Sequence, residues 1–221
     1  MNQSEVFELV KNRILDIQKT KIKPVRVAIN GIEGTGKTVF TKYLTDFLLE
    51  HNLKAIHVSI DGFHNVSEIR YKQGSDSAKG YYEDAYNEQE FVQKVLISSQ
   101  LDVPVITKGV HDMETDNILK EEPLKIDNDA IILTDGSYLF KETYRKHWDL
   151  KIYLQTDLQT AMSRGIKRDS EMLGGIEKAK EKYKSRYHKA SEIYIEEYRP
   201  KEFADFVIDN TDFDNLFLVK E

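Results

Sequence analysis

The chain has 221 residues, a length that suits one domain with at most a small appended lid. Its 40% hydrophobic and 32% charged residues are a globular composition, and a net charge of −6 argues against a general nucleic-acid binder. With no cysteine, disulfides, zinc–thiolate sites and thiol nucleophiles are excluded.

In chain order, Val6, Leu9, Val10, Ile14 and Ile17 fall at helical spacing, which predicts an amphipathic helix from about 3 to 19, closed by Pro24. This opening lacks the basic-then-apolar layout of a signal peptide, and no apolar run approaches the ~20 residues that span a bilayer. A cytoplasmic protein without a membrane partner is expected. "VRVAIN" reads as a buried strand, and Val39, Phe40, Tyr43, Leu44, Phe47 and Leu48 mark the helix after it. "KAIHVSI" is the next strand, with His57 expected simply to pack. The stretch from Asp61 to about Asn87 turns polar and reads as a functional loop, and residues 88 to 98 as a helix. "VPVITKGVHDMET" suggests a small hairpin, while "DAIILTDG" and "DLKIYLQT" are two further strands, Trp148 lying at the start of the latter. Thr156 and Gln159 have capping-box spacing for a helix running to about Asp169. After "SEMLGGIEK" a charged helix covers about 176 to 197, and "ADFVIDN" is the last strand expected.

Strands alternating with helices predict an α/β fold: a mostly parallel sheet with helices on both faces. The whole of 1–221 reads as one domain, with an acceptor-binding insertion at about 61–125 and a helical lid at about 165–185.

"GIEGTGKT" completes G-x-x-x-x-G-K-[ST] between a strand and a helix, the context of a P-loop NTPase. Gly31, Gly34, Thr35 and Gly36 let backbone N–H groups curl around phosphate oxygens at a helix N-terminus. Lys37 is expected to reach the β- and γ-phosphates of ATP or GTP, and the Thr38 hydroxyl to ligate Mg²⁺. Glu33, inside the loop, is expected to face solvent.

Three strands deliver an acid to their carboxyl ends, where ligands sit in open α/β sheets: Asp61, Asp135 and Asp209. Alone, each is a turn-forming Asp. With a phosphate loop on what is expected to be the neighbouring strand, Asp61 becomes the carboxylate for an acceptor hydroxyl, and Asp135 the one near Mg²⁺. Asp209 reads as an Asx turn. Arg164 and Arg168 share one helix face beside Gly174–Gly175, where arginines suit the spread charge of phosphoryl transfer. The helix that follows alternates its charges; Arg186 in it either reaches inward or joins the solvated face, and Tyr183, Tyr187 and Tyr194 read as packing.

Together, the phosphate loop, "SIDGFH", "GYYEDAYN", "ILTDGSYLF", "RGIKRD" and "ADFVIDN" resemble, in order, the uridine kinase and phosphoribulokinase group from Val25 to Asn210. The resemblance implies a kinase acting on a small, nucleoside-like acceptor with ATP or GTP and Mg²⁺. It implies Asp61 as catalytic base, with Phe63 and His64 beside the acceptor. "YEDAY" resembles the segment whose Asp binds ribose hydroxyls, which puts that role on Asp84. The lid arginine falls on Arg168, and Asp135 stands where the family has Glu. The family's base-pocket segment is missing; "TKGVHDMETD" stands there, with His111 and Asp112 as substitutes, and the lid has "MLGG" where another arginine is usual. Nicotinamide riboside, pantothenate or a sugar acid are therefore alternative acceptors, and a regulatory NTPase is the alternative from another class. No nucleic-acid partner is expected. Relatives of the fold form dimers and tetramers, so the resemblance is compatible with a homo-oligomer.

Overall fold

Apolar side chains every three or four residues fold Gln3–Thr20 into α1, which starts at a reciprocal capping box between Asn2 and Glu5. The computed structural model describes residues 1–221. The buried stripe of α1 packs on α2 (Lys37–Glu50), where Phe7 meets Phe40 edge-on at 5.2 Å. The strands are β1 (Val25–Asn30), β2 (Ala55–Ser59), β3 (Val105–Ile106), β4 (His111–Asp112), β5 (Asn117–Ile118), β6 (Leu124–Lys125), β7 (Ile131–Gly136), β8 (Leu150–Gln155), β9 (Phe206–Asp209) and β10 (Phe217–Lys220). Six of them form one sheet in the order β10-β9-β8-β1-β7-β2, all parallel except β10.

A parallel sheet covered on both faces needs apolar side chains on both, and the strands supply them by alternation. Val27, Ile29, Leu133 and Ile152 point to the face covered by α1 and α2. Ala28, Ile132 and Tyr153 point to the other, against Phe91, Tyr138, Trp148 and Tyr194. Burying each of the larger side chains stabilises the fold by about 1.5–3 kcal/mol. Trp148 sits in this second core, its Nε1 donating to the Leu139 carbonyl at 2.7 Å.

The insertion after β2 carries short helices α3 (Ser67–Arg70), α4 (Ala78–Asp84) and α5 (Glu88–Phe91), the last extended by a π-helical turn over Val92–Ile97. The hairpin expected within 103–115 does not form: β4 pairs onward with β5, His111 opposite Ile118, and β3 pairs with β6. After β7 come α6 (Glu142–Arg145), then α7 (Leu158–Asp169), α8 (Ile176–Lys182), a π-helical turn over Tyr183–Tyr187, α9 (His188–Tyr198) and α10 (Pro200–Phe203).

Three further details differ from the sequence reading. β7 lies between β1 and β2, so Asp135, not Asp61, is on the strand beside the phosphate loop. The cap of α7 is Asp157, whose carboxylate accepts from Thr160 N at 2.9 Å, because Thr156 is turned to the Thr35 carbonyl. The edge strand β10 was not expected; it is four residues long and mostly exposed, so no apolar alternation marks it. Asp209 does make its Asx turn, accepting from Thr211 N at 2.9 Å.

Candidate active site

Chain order reverses around β1, with β7 on one side and β8 on the other, and the crevice at such a reversal is where α/β folds bind ligands. The loop between β1 and α2 fills it. Gly34 has φ +85°, and a Cβ there would sit 1.9 Å from the Ala161 carbonyl oxygen, so only glycine lets α7 approach the loop. No side chain caps α2, which leaves its first N–H groups for an anion. Gly31 and Thr35 brace the loop instead: the Gly31 carbonyl accepts from Ser137 Oγ, and the Thr35 carbonyl accepts from Asn210 Nδ2 at 2.7 Å. Lys37 crosses the loop, donating to the Ile32 carbonyl at 2.8 Å. Burial lowers its pKa, against the pull of Glu33, Asp135 and Asp61, whose charges converge on it.

Asp135 ends β7 directly between the other two strands, in register with Ile29 on β1 and Ser59 on β2. Its Oδ2 accepts from the Thr38 hydroxyl at 2.5 Å, and its Oδ1 lies 2.6 Å from His57 Nε2. Burial would raise this carboxyl, but the hydrogen bonds from His57 and Thr38 and the Lys37 charge hold it below the ordinary range. His57 therefore does more than pack. It is two residues before Ser59 and so projects from the same face towards Asp135. Hard oxygens on Thr38 and Asp135 beside an uncapped helix N-terminus are a donor set that fits a nucleotide phosphate with Mg²⁺.

Two cavities meet here. One, about 520 Å³, is lined by Gly36, Lys37, Thr38, Arg164 and Phe213. The other, about 600 Å³, is lined by Glu33, Asp61, His64, Tyr81, Arg186 and Tyr187 among others. Arg168 lines both. Its guanidinium is held by Asp169 through Nε at 2.7 Å and Nη2 at 3.0 Å, with the Tyr183 hydroxyl also donating to Asp169 at 2.6 Å. That pairing raises the Arg168 pKa further above its ordinary value, so the charge is fixed.

The expected site residues divide. Asp61 is exposed to the second cavity, in a 3₁₀ turn after β2, and accepts from the Tyr86 hydroxyl at 3.2 Å. Gly62 beside it packs against a passing loop, where a Cβ would meet the Lys108 carbonyl at 2.7 Å. His64 lines the cavity, its Nδ1 2.8 Å from the Asp61 carbonyl, and burial lowers its pKa. Arg186 reaches inward. Phe63 does not border the cavity: it is fully buried against Phe91, ring centroids 5.1 Å apart, because the 3₁₀ turn rotates it into the core. Asp84 is not among the lining residues; its carboxylate is taken by Lys72 and by Gln73 Nε2, each at 2.7 Å. His111 lies 3.0 Å from Asp116 and faces an adjoining groove, with His64 between the two spaces. Arg164 shares its helix face with Arg168 but touches only the first cavity, donating to the Asn210 and Thr211 carbonyls at 2.8 Å each. Glu33 turns inward rather than to solvent, its Oε2 accepting from Ser191 Oγ at 2.7 Å. Sequence reasoning also missed Arg70, Tyr86 and Asn210; the tyrosines of "GYYEDAYN" were the one local signal for an aromatic wall.

Residues 26–215 match the model of the phosphoribulokinase / uridine kinase family. The uridine kinase of Anoxybacillus flavithermus is 27% identical over 190 residues, covering 84% of this chain and 86% of that one. A solved structure described as a possible uridine kinase, from Bacillus stearothermophilus, superimposes with a TM-score of 0.66 at 20% identity, covering 90% of this chain and 98% of that one. D-glycerate 3-kinase from Cryptococcus neoformans superimposes with a TM-score of 0.64 at 13% identity, covering 98% of each. Both structures share the P-loop kinase fold.

Proposed function

Because the chain belongs to the phosphoribulokinase / uridine kinase family, we propose that it moves the γ-phosphoryl group of ATP or GTP onto a hydroxyl of a small molecule held beside Asp61. One observation carries this reading: Arg168 lines both cavities, with Lys37 in one and Asp61 in the other. A bound nucleotide with Mg²⁺ supplies the phosphoryl group and neutralises its oxygens. The uncapped start of α2 and Lys37 bind phosphate oxygens, while Thr38 and Asp135 hold the metal. Asp61, exposed at the cavity wall, orients the acceptor hydroxyl and takes its proton. Arg168, already charged and braced by Asp169, stabilises charge on the oxygens in flight.

Similarity to uridine kinases supports a nucleoside as the acceptor, uridine or cytidine first. A hydroxy acid such as a sugar acid is the second reading, favoured by the buried Arg186 guanidinium in the cavity wall. The test is a panel of nucleosides, vitamins and sugar acids with ATP and Mg²⁺, reading ADP release. Stimulation by one class supports a kinase of that class. Stimulation by none would leave a nucleotide-dependent switch and sink the reading.

A further inference from the structure

The second cavity holds more cation than phosphoryl transfer uses. Four cations, Arg70, Arg168, Lys182 and Arg186, line it against three anions, Glu33, Asp61 and Asp169. Arg168 is matched by Asp169, and Lys182 by Asp76 outside the cavity. Arg186 has no direct partner: the nearby Asp76 carboxylate feels its charge but is bonded to Lys182. Arg186 is 2% exposed, makes no ion pair, and uses only Nη1, which donates to the Gly74 and Ser75 carbonyls at 3.2 and 2.5 Å. Its Nε and Nη2 donate to no protein group. The rings of Tyr71 and Tyr81 each lie 5.1 Å from its Cζ, so the guanidinium is held in place by its faces while its edge stays free. Arg70 flanks the same Tyr71 ring at 5.2 Å and is 7% exposed. Its Nη2 donates to Asp116 at 3.1 Å, and its buried Nε has no partner. Of these two buried guanidiniums only that of Arg70 has a carboxylate partner, Asp116, and N–H donors on both are left over.

A buried charge without a counter-charge is costly, and a fold keeps one where a ligand completes it. The turn that carries Arg186 inward is π-helical, a form that recurs at functional sites. Resting on the phosphotransfer reading, we propose that Arg186, assisted by Arg70, receives a carboxylate of the acceptor. The acceptor class is then a hydroxy acid, its carboxylate at the Arg186 edge and its hydroxyl at Asp61, which reverses the order that similarity to uridine kinases alone gives to nucleoside and hydroxy acid.

The test uses the whole chain with ATP and Mg²⁺ and pairs each acid with its neutral counterpart: glycerate with glycerol, pantothenate with pantothenol, and gluconate with glucose, plus uridine. The expected result is an acid favoured over its counterpart by about 30-fold or more in kcat/KM. In Arg186→Gln that preference collapses through KM, and Arg186→Lys restores part of it; Arg70→Gln weakens it less. ATP affinity stays unchanged in all three. Preference for uridine or for the neutral partners overturns the proposal while leaving the kinase reading intact. So does an Arg186→Gln variant that loses activity equally on every acceptor together with thermal stability, because the arginine is then only a clamp on Gly74 and Ser75. Absence of Asp61-dependent ADP release with every acceptor overturns the kinase reading, and the proposal with it.

Discussion

His57 Nε2 lies 2.6 Å from Asp135 Oδ1, joining the middle of β2 to the end of β7 at the point where the Thr38 hydroxyl also meets that carboxylate. Removing the ring leaves a nearly inaccessible carboxylate oxygen without its partner. His57→Ala is therefore expected to cost about 1–2 kcal/mol of stability, measured by urea denaturation. The carboxylate is then also free to turn from Thr38, so the Mg²⁺ concentration for half-maximal ADP release should rise several-fold, while the KM for acceptor stays within about twofold.

Gly34 is fixed by two independent constraints, its φ of +85° and the Ala161 carbonyl 1.9 Å from where a Cβ would stand. Gly34→Ala must push α7 away from the phosphate loop, and with it Arg164 and Arg168. The expected loss is about 1–3 kcal/mol of stability. Nucleotide affinity, measured by calorimetry, should fall at least about tenfold, since both sides of the first cavity move.

Asp116 ties the insertion together. Hydrogen bonds from the Ser67 side chain and backbone, then from Arg70 and His111, lower its pKa to about 2 from an ordinary 3.8. A carboxyl depressed on folding contributes stability that is complete above its unfolded pKa and is lost as pH falls towards the folded one. The thermal midpoint should therefore drop between about pH 4 and pH 2 in part through this group. Asp116→Asn should lower the midpoint at pH 7 and flatten that acid limb. An unchanged acid limb would show that Asp116 gains nothing on folding.

What was legible in the sequence follows from how local each feature is. The phosphate loop is eight consecutive residues, so Lys37 and Thr38 were readable, and the polar exits of β2 and β7 marked Asp61 and Asp135. Partners across the sheet were not readable, because they depend on strand order. His57 reaches Asp135 only because β7, 78 residues later, inserts between β1 and β2. In the sequence Glu33 reads as a solvent residue because its partner, Ser191, is 158 residues away on α9. Phe63 carried the opposite error: its neighbours Asp61 and His64 line the cavity, and a 3₁₀ turn sends it into the core. Asp84 matched a motif, yet Lys72 and Gln73 occupy its carboxylate.

The most direct test is Asp61→Asn, a change that keeps shape and removes the carboxylate. If Asp61 meets the acceptor hydroxyl, acceptor-stimulated ADP release falls by about 10²–10⁴-fold, and the ATP Kd from calorimetry stays within about twofold of the parent. Acceptor turnover within about tenfold of the parent, at unchanged ATP affinity, would contradict that role.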